Sequence, residues 1–472
     1  MTVPIAYDVT RLFYGPLSRT PRGIDRVDFA LAARLFRHTA QPCVGVMPTA
    51  WGMRVFSPHL VRRGLVRLQR LWAERRSIED DALWHGLVEE LKGGNALDTD
   101  MVLPPRFSNW QRVKRMGSML GATGFTLGGS TATHVPDRAV YVNVGHISLA
   151  MPFFLRWLDK RPDVTPVFML HDVIPLDTPH YVSRSSARHH ATMVASTARH
   201  AAGLLVTTES AQRTVTDALA RFGRTDIMTL AQPLPVPRVF HTPCDPDPEL
   251  AGTKYFVICG AIEPRKNHAL LLDVWRGLTA DMGEDAPHLV IIGSPAWRSG
   301  EILGQLHDSP SLRRRVHVVS GLSSPSLKRL LAGALGLLMP SHAEGFGLPL
   351  IEAARLGVPV MASDIPAHRE VVDNQALLLP AQDARAWDAA IRHWTNGERP
   401  RAQPRPMQDA MDEREAYFTA IERFLSECSA KRQAELAASN IKARPRRPMA
   451  DTQDDAGIPA VARAGNSSAD PV

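Results

Sequence analysis

The residues best suited by type and spacing to do chemistry lie in PSHAEGFGLPLIEAARLGVPV (340–360). An apolar strand ends at Pro340. A short loop carries Glu344, Gly345, Phe346 and Gly347, and a helix starts near Leu348 and contains Glu352. Gly345 and Gly347 let the backbone approach a ligand closely. The first helical turn offers unpaired N–H groups and the positive end of the helix dipole, which suits a diphosphate. The two carboxylates do not favour phosphate; they suit hydrogen bonds from sugar hydroxyls. By spacing alone, the same residues also read as a plain strand–loop–helix turn with an incidental pair of glutamates.

A second candidate is GAIEPRKNHALLLDVW (260–275), where Gly260 ends a strand and Arg265 and Lys266 precede a helix. Two cations beside a helix N-terminus offset the charge on a departing diphosphate. FMLHDVIPLDTPHY (168–181) places His171 at an expected strand end, facing the cleft, with Asp172 beside it. YVNVGH (141–146) offers Asn143 and His146 as cleft polar groups. DVTRLFYGPLSRTPRGIDRV (8–27) offers Gly23 for close approach to phosphate. The plainer readings are a loop glycine and a satisfied buried histidine. Asp364 and Glu370, in ASDIPAHREVV (362–372), read as helix caps or surface charges.

These residues need a scaffold that gathers strand ends. From Lys254 onward, short apolar runs alternate with helical patterns. Strands are expected at 254–262, 288–294, 316–322, 335–341, 358–365 and 376–380; helices at 267–278, 301–307, 323–334, 348–357 and 383–394. Continuous apolar strands alternating with helices imply a parallel sheet covered on both faces, with ligands at the carboxyl ends of its strands. The first half carries similar strands at 4–9, 139–145, 165–173 and 202–208, and a helix at 25–36. The expected organisation is a first Rossmann-like domain over 1–235, with an insertion near 57–135, and a proline-rich linker over 236–252. A second Rossmann-like domain over 253–410, a helix over 411–430 that can cross back, and a disordered tail over 431–472 follow.

The segment with Glu344 and Glu352 resembles the E-x7-E signature of retaining glycosyltransferase family four, whose fold is GT-B: two Rossmann-like domains facing each other across a cleft. The resemblance spans about residues 3–430 and is tightest over 254–372. It implies a sugar transfer from a nucleoside diphosphate donor, with Glu344 at the donor sugar, Glu352 at the ribose and Lys266, helped by Arg265, at the diphosphate. Gly345, Phe346, Gly347, Leu348, Gly23 and Gly260 would complete the donor site. Ala261 stands where some family members carry an arginine, which leaves this clamp one cation lighter. The acceptor would be a glycan or a lipid-linked molecule in polysaccharide or lipopolysaccharide assembly, with GDP-mannose the first expectation for the donor. No cofactor and no metal are implied, and DTD (98–100) and DPD (245–247) read as chance. The alternatives are a nucleotide-sugar epimerase on the same fold and a non-catalytic sugar-nucleotide-binding subunit.

Composition sets outer limits. The chain has 472 residues, a formal net charge of +7 and an isoelectric point near 9.4. That balance favours acidic partners such as nucleotides or an anionic membrane surface. No aromatic-interleaved basic module argues for nucleic acid. The four scattered cysteines suggest neither a zinc site nor a disulfide framework. No signal-like start and no long apolar run are visible, so the expected location is cytoplasmic, peripheral at the inner membrane face. The basic stretch 61–76 puts Leu65, Leu68 and Trp72 on one helical face, which suits either an anionic membrane or a helix packed on its own domain.

Overall fold

The computed structural model describes residues 3–14, 21, 23–37, 42–49, 51–73, 78–93, 110, 128–372, 376–400 and 406–442. Their strands form two sheets. The first contains β1 (Ile5–Asp8), β2 (Cys43–Thr49), β3 (Gly52–Phe56), β4 (Gly129–Ser130), β5 (Val140–Asn143), β6 (Thr165–Met169), β7 (Gly203–Val206) and β8 (Met228–Ala231). Its spatial order is β4-β3-β2-β1-β5-β6-β7-β8. Ile5 of β1 stands opposite Cys43 on one side and Val140 on the other, both in parallel register. Only β3 and β4 run antiparallel to their neighbours. Every residue of β1, β5, β6 and β7 is buried, as strands covered on both faces require.

The second sheet contains β9 (Tyr255–Cys259), β10 (His288–Ile292), β11 (Val316–Val319), β12 (Gly336–Met339), β13 (Val360–Ser363) and β14 (Leu377–Leu379). The order is β11-β10-β9-β12-β13-β14, and every pairing is parallel. The strand order reverses between β9 and β12, which lie side by side with Gly336 opposite Phe256. Such a reversal leaves a crevice at the carboxyl ends of the two strands. The loops that follow β9 and β12 are the two richest in candidate residues.

The helices that matter below are α1 (Gly23–Leu35), α2 (Pro58–Ala73), α3 (Ala82–Leu91), α4 (Glu209–Ala220), α5 (His268–Met282), α6 (Leu348–Arg355), α7 (Pro366–Val371) and α8 (Met407–Lys442). Helix α5 shows how the sequence seats them. Leu271, Leu272, Trp275 and Leu278 recur at helical spacing and are buried in one core cluster with Phe256 of β9. The Trp275 indole N–H donates to the Pro287 carbonyl at 2.8 Å, so its one polar atom is satisfied.

Two chain segments join the sheets. Helix α3, expected within an insertion of the first domain, packs on the second: Leu83, Trp84, Leu87, Val88 and Leu91 share a core with Val319, Leu322 and Leu327. Asp81, just before it, accepts from the Ser323 N–H at 3.1 Å and the Ser326 hydroxyl at 2.7 Å. Helix α8 returns the other way. Tyr417, Phe418, Ile421, Phe424 and Leu425 are buried among first-sheet residues, and Glu415 and Glu422 pair with Arg34 of α1. This helix is longer than the expected 411–430. It reaches Lys442, so residues 431–442 are helical rather than disordered, and 443–472 lie outside the described residues.

Helix α2 decides between the two readings of the basic stretch 61–76 in favour of a helix packed on its own domain. Leu65 and Leu68 are buried in the first domain's core, and Trp72 packs edge-on against Phe29 at 5.2 Å. The apolar face that would have entered a membrane is therefore turned inward. No described helix is long and apolar enough to cross a membrane. The four cysteines are unpaired.

Candidate active site

The two loops at the β9–β12 crevice are tied to each other before any ligand enters. The His342 N–H donates to the Arg265 carbonyl at 2.9 Å. Asn267, in the left-handed conformation, donates through its side-chain amide to the carbonyls of Pro340 and Ala381. Ser363 of β13 donates to the Ser341 carbonyl at 2.5 Å. Gly260 makes room for a lysine: an added Cβ would lie 2.9 Å from Lys266 Cε, and the residue sits at φ 153°.

Glu344 is the hub. Its Oε1 lies 2.5 Å from Lys266 Nζ and accepts from the Ser341 hydroxyl at 2.6 Å; its Oε2 lies 2.9 Å from Arg265 Nη1. Burial opposes the charge on Glu344, yet Lys266 and Arg265 outweigh it and hold the carboxyl far below the usual range. Arg265 is engaged on two further sides, by Glu263 at 2.7 Å and by the Ala343 carbonyl at 2.7 Å. Most of its N–H groups are thus taken by protein. Lys266 has N–H groups to spare, because among the described residues its ammonium bonds to Glu344 alone.

The first domain closes over this hub. Gly345 lies against the 171–172 loop that follows β6: an added Cβ would stand 2.7 Å from the His171 carbonyl and 3.0 Å from Asp172 Oδ2. The hydroxyls of Thr207 and Thr208 donate to the Gly345 carbonyl at 3.0 and 3.3 Å. Tyr181 stacks on His342 with a 5° interplanar angle and 4.8 Å between centroids. Glu370 of α7 accepts from the N–H groups of Glu209 and Ser210 at 2.6 and 2.7 Å. A carboxylate of one domain thereby caps helix α4 of the other.

The structure therefore gathers Glu344, Lys266, Arg265, Gly260, Gly345, Gly347, His171 and Asp172 at facing strand ends. The His171 ring packs against His146 at 5.0 Å, and its Nε2 is buried without a hydrogen-bond partner among the described residues. Burial, with Arg11 nearby, pushes its pKa down to about 3. Asp172 accepts from the Ile174 N–H at 3.1 Å, which shapes the turn. Gly347 holds φ 96° at the start of α6.

Five expected site residues have other occupations. Phe346 is buried in the first domain's core and anchors the loop. Leu348 packs on the same core, and its Cδ1 would lie 2.9 Å from a Cβ at Gly23. Gly23 thus lies directly against a side chain of the other domain. Asn143 is buried; its amide donates to Asp8 at 2.7 Å and its oxygen accepts from the His146 N–H. His146 donates from Nε2 to the Met169 carbonyl at 2.6 Å. Asp364, in contrast, is a surface partner of Arg369.

Sequence reasoning missed Arg26. Its Nη1 donates to Glu352 Oε1 at 2.9 Å and its Nη2 to the Ser324 hydroxyl at 3.0 Å. Burial pushes the Glu352 carboxyl up and Arg26 pulls it back. The signal was present: Arg26 lies one turn after Gly23 on the helix expected there. Thr207 and Tyr181 were likewise missed, because each acts through a contact distant in sequence; Glu263 and Ser341 act on near neighbours, Arg265 and Glu344, and were missed as ordinary loop residues.

Known proteins extend this picture. The family described as Glycosyl transferases group 1 matches residues 246–412. A serotype-specific mannosyltransferase WbdA of Escherichia coli is 27% identical over 254 residues, 50% of this chain and 31% of the relative. The O-antigen chain mannosyltransferase RfbU of Salmonella typhimurium is 34% identical over 143 residues, 29% of this chain and 38% of the relative. The chain thus spans well under half the length of these relatives. Among solved structures, a sucrose-phosphate synthase from Thermosynechococcus elongatus superposes with a TM-score of 0.51 at 16% identity, over 93% of this chain and 100% of that one. The chain has the GT-B fold, and its second domain, over residues 246–412, matches the glycosyltransferases of group 1.

Proposed function

We propose that this chain is a retaining glycosyltransferase that moves a hexose from a nucleoside diphosphate to a glycan or lipid-linked acceptor during polysaccharide assembly. The observation that carries the reading is the Glu344–Lys266–Arg265 cluster at the β9–β12 switch point, facing His171 and Asp172 of the other domain. The relatives named as mannosyltransferases favour mannose as the transferred sugar, and GDP-mannose is the donor proposed for it.

In this reading the bond between the anomeric carbon and the diphosphate oxygen breaks. The acceptor hydroxyl attacks the same face, and its proton passes to the leaving phosphate. Lys266 is the cation with donors free for that phosphate, and the N–H groups at the start of α6 assist it. Arg265 positions Glu344 rather than clamping phosphate. Glu344 orients the transferred sugar, Glu352 receives the ribose hydroxyls, and the unpaired His171 Nε2 meets a sugar hydroxyl. The interdomain contacts exclude water and limit donor hydrolysis.

The test is turnover of GDP-mannose with a mannose-terminated acceptor by the purified chain and by Lys266→Ala and Glu352→Ala. Losses of at least a hundredfold in both variants support the reading; unchanged turnover in both overturns it. Donor incubated alone must stay unepimerised, because an epimer would instead favour the isomerase alternative.

A further inference from the structure

A groove of about 610 Å³ lies between α1, the start of α8 and residues 235–242, and it touches the proposed donor site only through Arg26 and Leu348. Its charges do not balance. Arg26 is held by Glu352, and Arg34 by Glu415 and Glu422. Glu413 is held by Arg355. Three further guanidinium groups converge here, those of Arg37, Arg238 and Arg414. Among the described residues no carboxylate within ion-pair distance answers any of the three. Arg414 is the deepest: burial first, and then Arg238 and Arg37, push its pKa down to about 10. Three guanidiniums that repel one another in a concavity are relieved by a multivalent oxyanion, which Arg binds in a fork geometry.

The rest of the groove is not built for a free anion. The Phe29–Trp72 pair lines one wall. Met407 and Met411 line another and are 49% and 48% exposed. The Arg414 guanidinium lies 4.8 Å from the Phe418 ring centroid. Thioethers and aromatic rings beside a cationic pocket suit an apolar chain attached to the anion. We propose that this groove binds a lipid phosphate, with the phosphate or diphosphate head on Arg37, Arg238 and Arg414 and the first part of the chain along Met411 and Trp72. The site stands apart from sugar transfer; only if the proposed function holds does the bound lipid become the acceptor's carrier.

Calorimetric titration of the full chain, with saturating GDP to block a nucleotide site, tests this with three probes: farnesyl diphosphate, inorganic diphosphate and farnesol. Farnesyl diphosphate is expected to bind at least tenfold tighter than inorganic diphosphate, and farnesol not measurably. The Arg37→Gln/Arg238→Gln double variant, both positions being on the surface, is expected to lose at least tenfold in farnesyl diphosphate affinity without a fall in Tm. Met411→Asp is expected to weaken farnesyl diphosphate and leave inorganic diphosphate unchanged. Equal affinity for the two diphosphates, or unaltered binding by the double variant, overturns the assignment. Because the readout is binding, failure of the transferase reading would leave this result standing.

Discussion

Arg26 Nη1 donates to Glu352 Oε1 at 2.9 Å, joining helix α1 of one domain to the carboxylate expected to serve the nucleotide in the other. Glu352 is almost fully buried and Arg26 is about one-fifth exposed. Arg26→Ala is therefore expected to strand a buried carboxylate, at about 1–2 kcal/mol after discounting for solvent screening. The sign with pH follows from the direction of the shift. The folded-state value of Glu352 is already raised, so its stabilising contribution is present in acid and is lost as pH rises through that value. Without Arg26 the value rises further. Urea melts at pH 5 and pH 8 should show a larger gap from wild type at pH 8; a gap independent of pH would refute the pairing.

Glu344 has the opposite sign. Its folded-state value is far below the usual one, so its contribution is present above the unfolded value and lost as pH falls through the folded one. Glu344→Gln should lower stability by about 3 kcal/mol at pH 7, because Lys266 loses its carboxylate partner and Arg265 retains only Glu263. The gap should shrink progressively as pH falls below about 5, through the value of an unfolded glutamate towards the folded one. Turnover should fall about a hundredfold. A variant with wild-type stability at pH 7 would show that the cluster is not coupled.

Gly345 is a steric requirement at the domain boundary. The atom 2.7 Å from an added Cβ is the His171 carbonyl, a backbone group that cannot rotate away. Gly345→Ala should push the loop off the 171–172 turn, cost about 1–3 kcal/mol and lower kcat/KM more than tenfold. Gly277→Ala in α5 is the control. Nothing lies within 4 Å of its added Cβ, so it should gain about 0.5–1 kcal/mol in helix stability and keep full turnover.

His171 is neutral at working pH, since burial holds its pKa to about 3. It can exchange hydrogen bonds with a sugar but cannot titrate near neutrality. His171→Ala should lower kcat/KM roughly ten- to hundredfold, the weight of one hydrogen bond in the transition state. The pH profile between 5 and 8 should keep its shape. Loss of a limb near pH 6.5 in the variant would contradict the structure.

Much of the second domain was legible because its strands are short continuous apolar runs and its helices alternate with them. The two strands that end at Cys259 and Met339 were expected over 254–262 and 335–341, so pattern alone placed their ends to within three residues. The first domain was harder to read. Strands β2 and β3 form an antiparallel pair, and β8 is only partly buried, so neither gives the run expected of a doubly covered parallel strand. Helix α3 gave no hint of its place, since an amphipathic helix does not state which core receives its apolar face.

By itself, the sequence determined the two-domain α/β fold, the glycine positions and the chemical types at the candidate site. Periodicity and residue type are local properties, and the switch-point loops carry them intact. Only the tertiary structure decided which groups meet: that Glu344 takes Lys266 and Arg265, that Arg26 reaches Glu352, and that the side chains of Phe346 and Leu348 turn into the neighbouring core. Those outcomes depend on packing between residues tens to hundreds of positions apart, where distance and burial decide, and neither quantity is written in the spacing of residues along the chain.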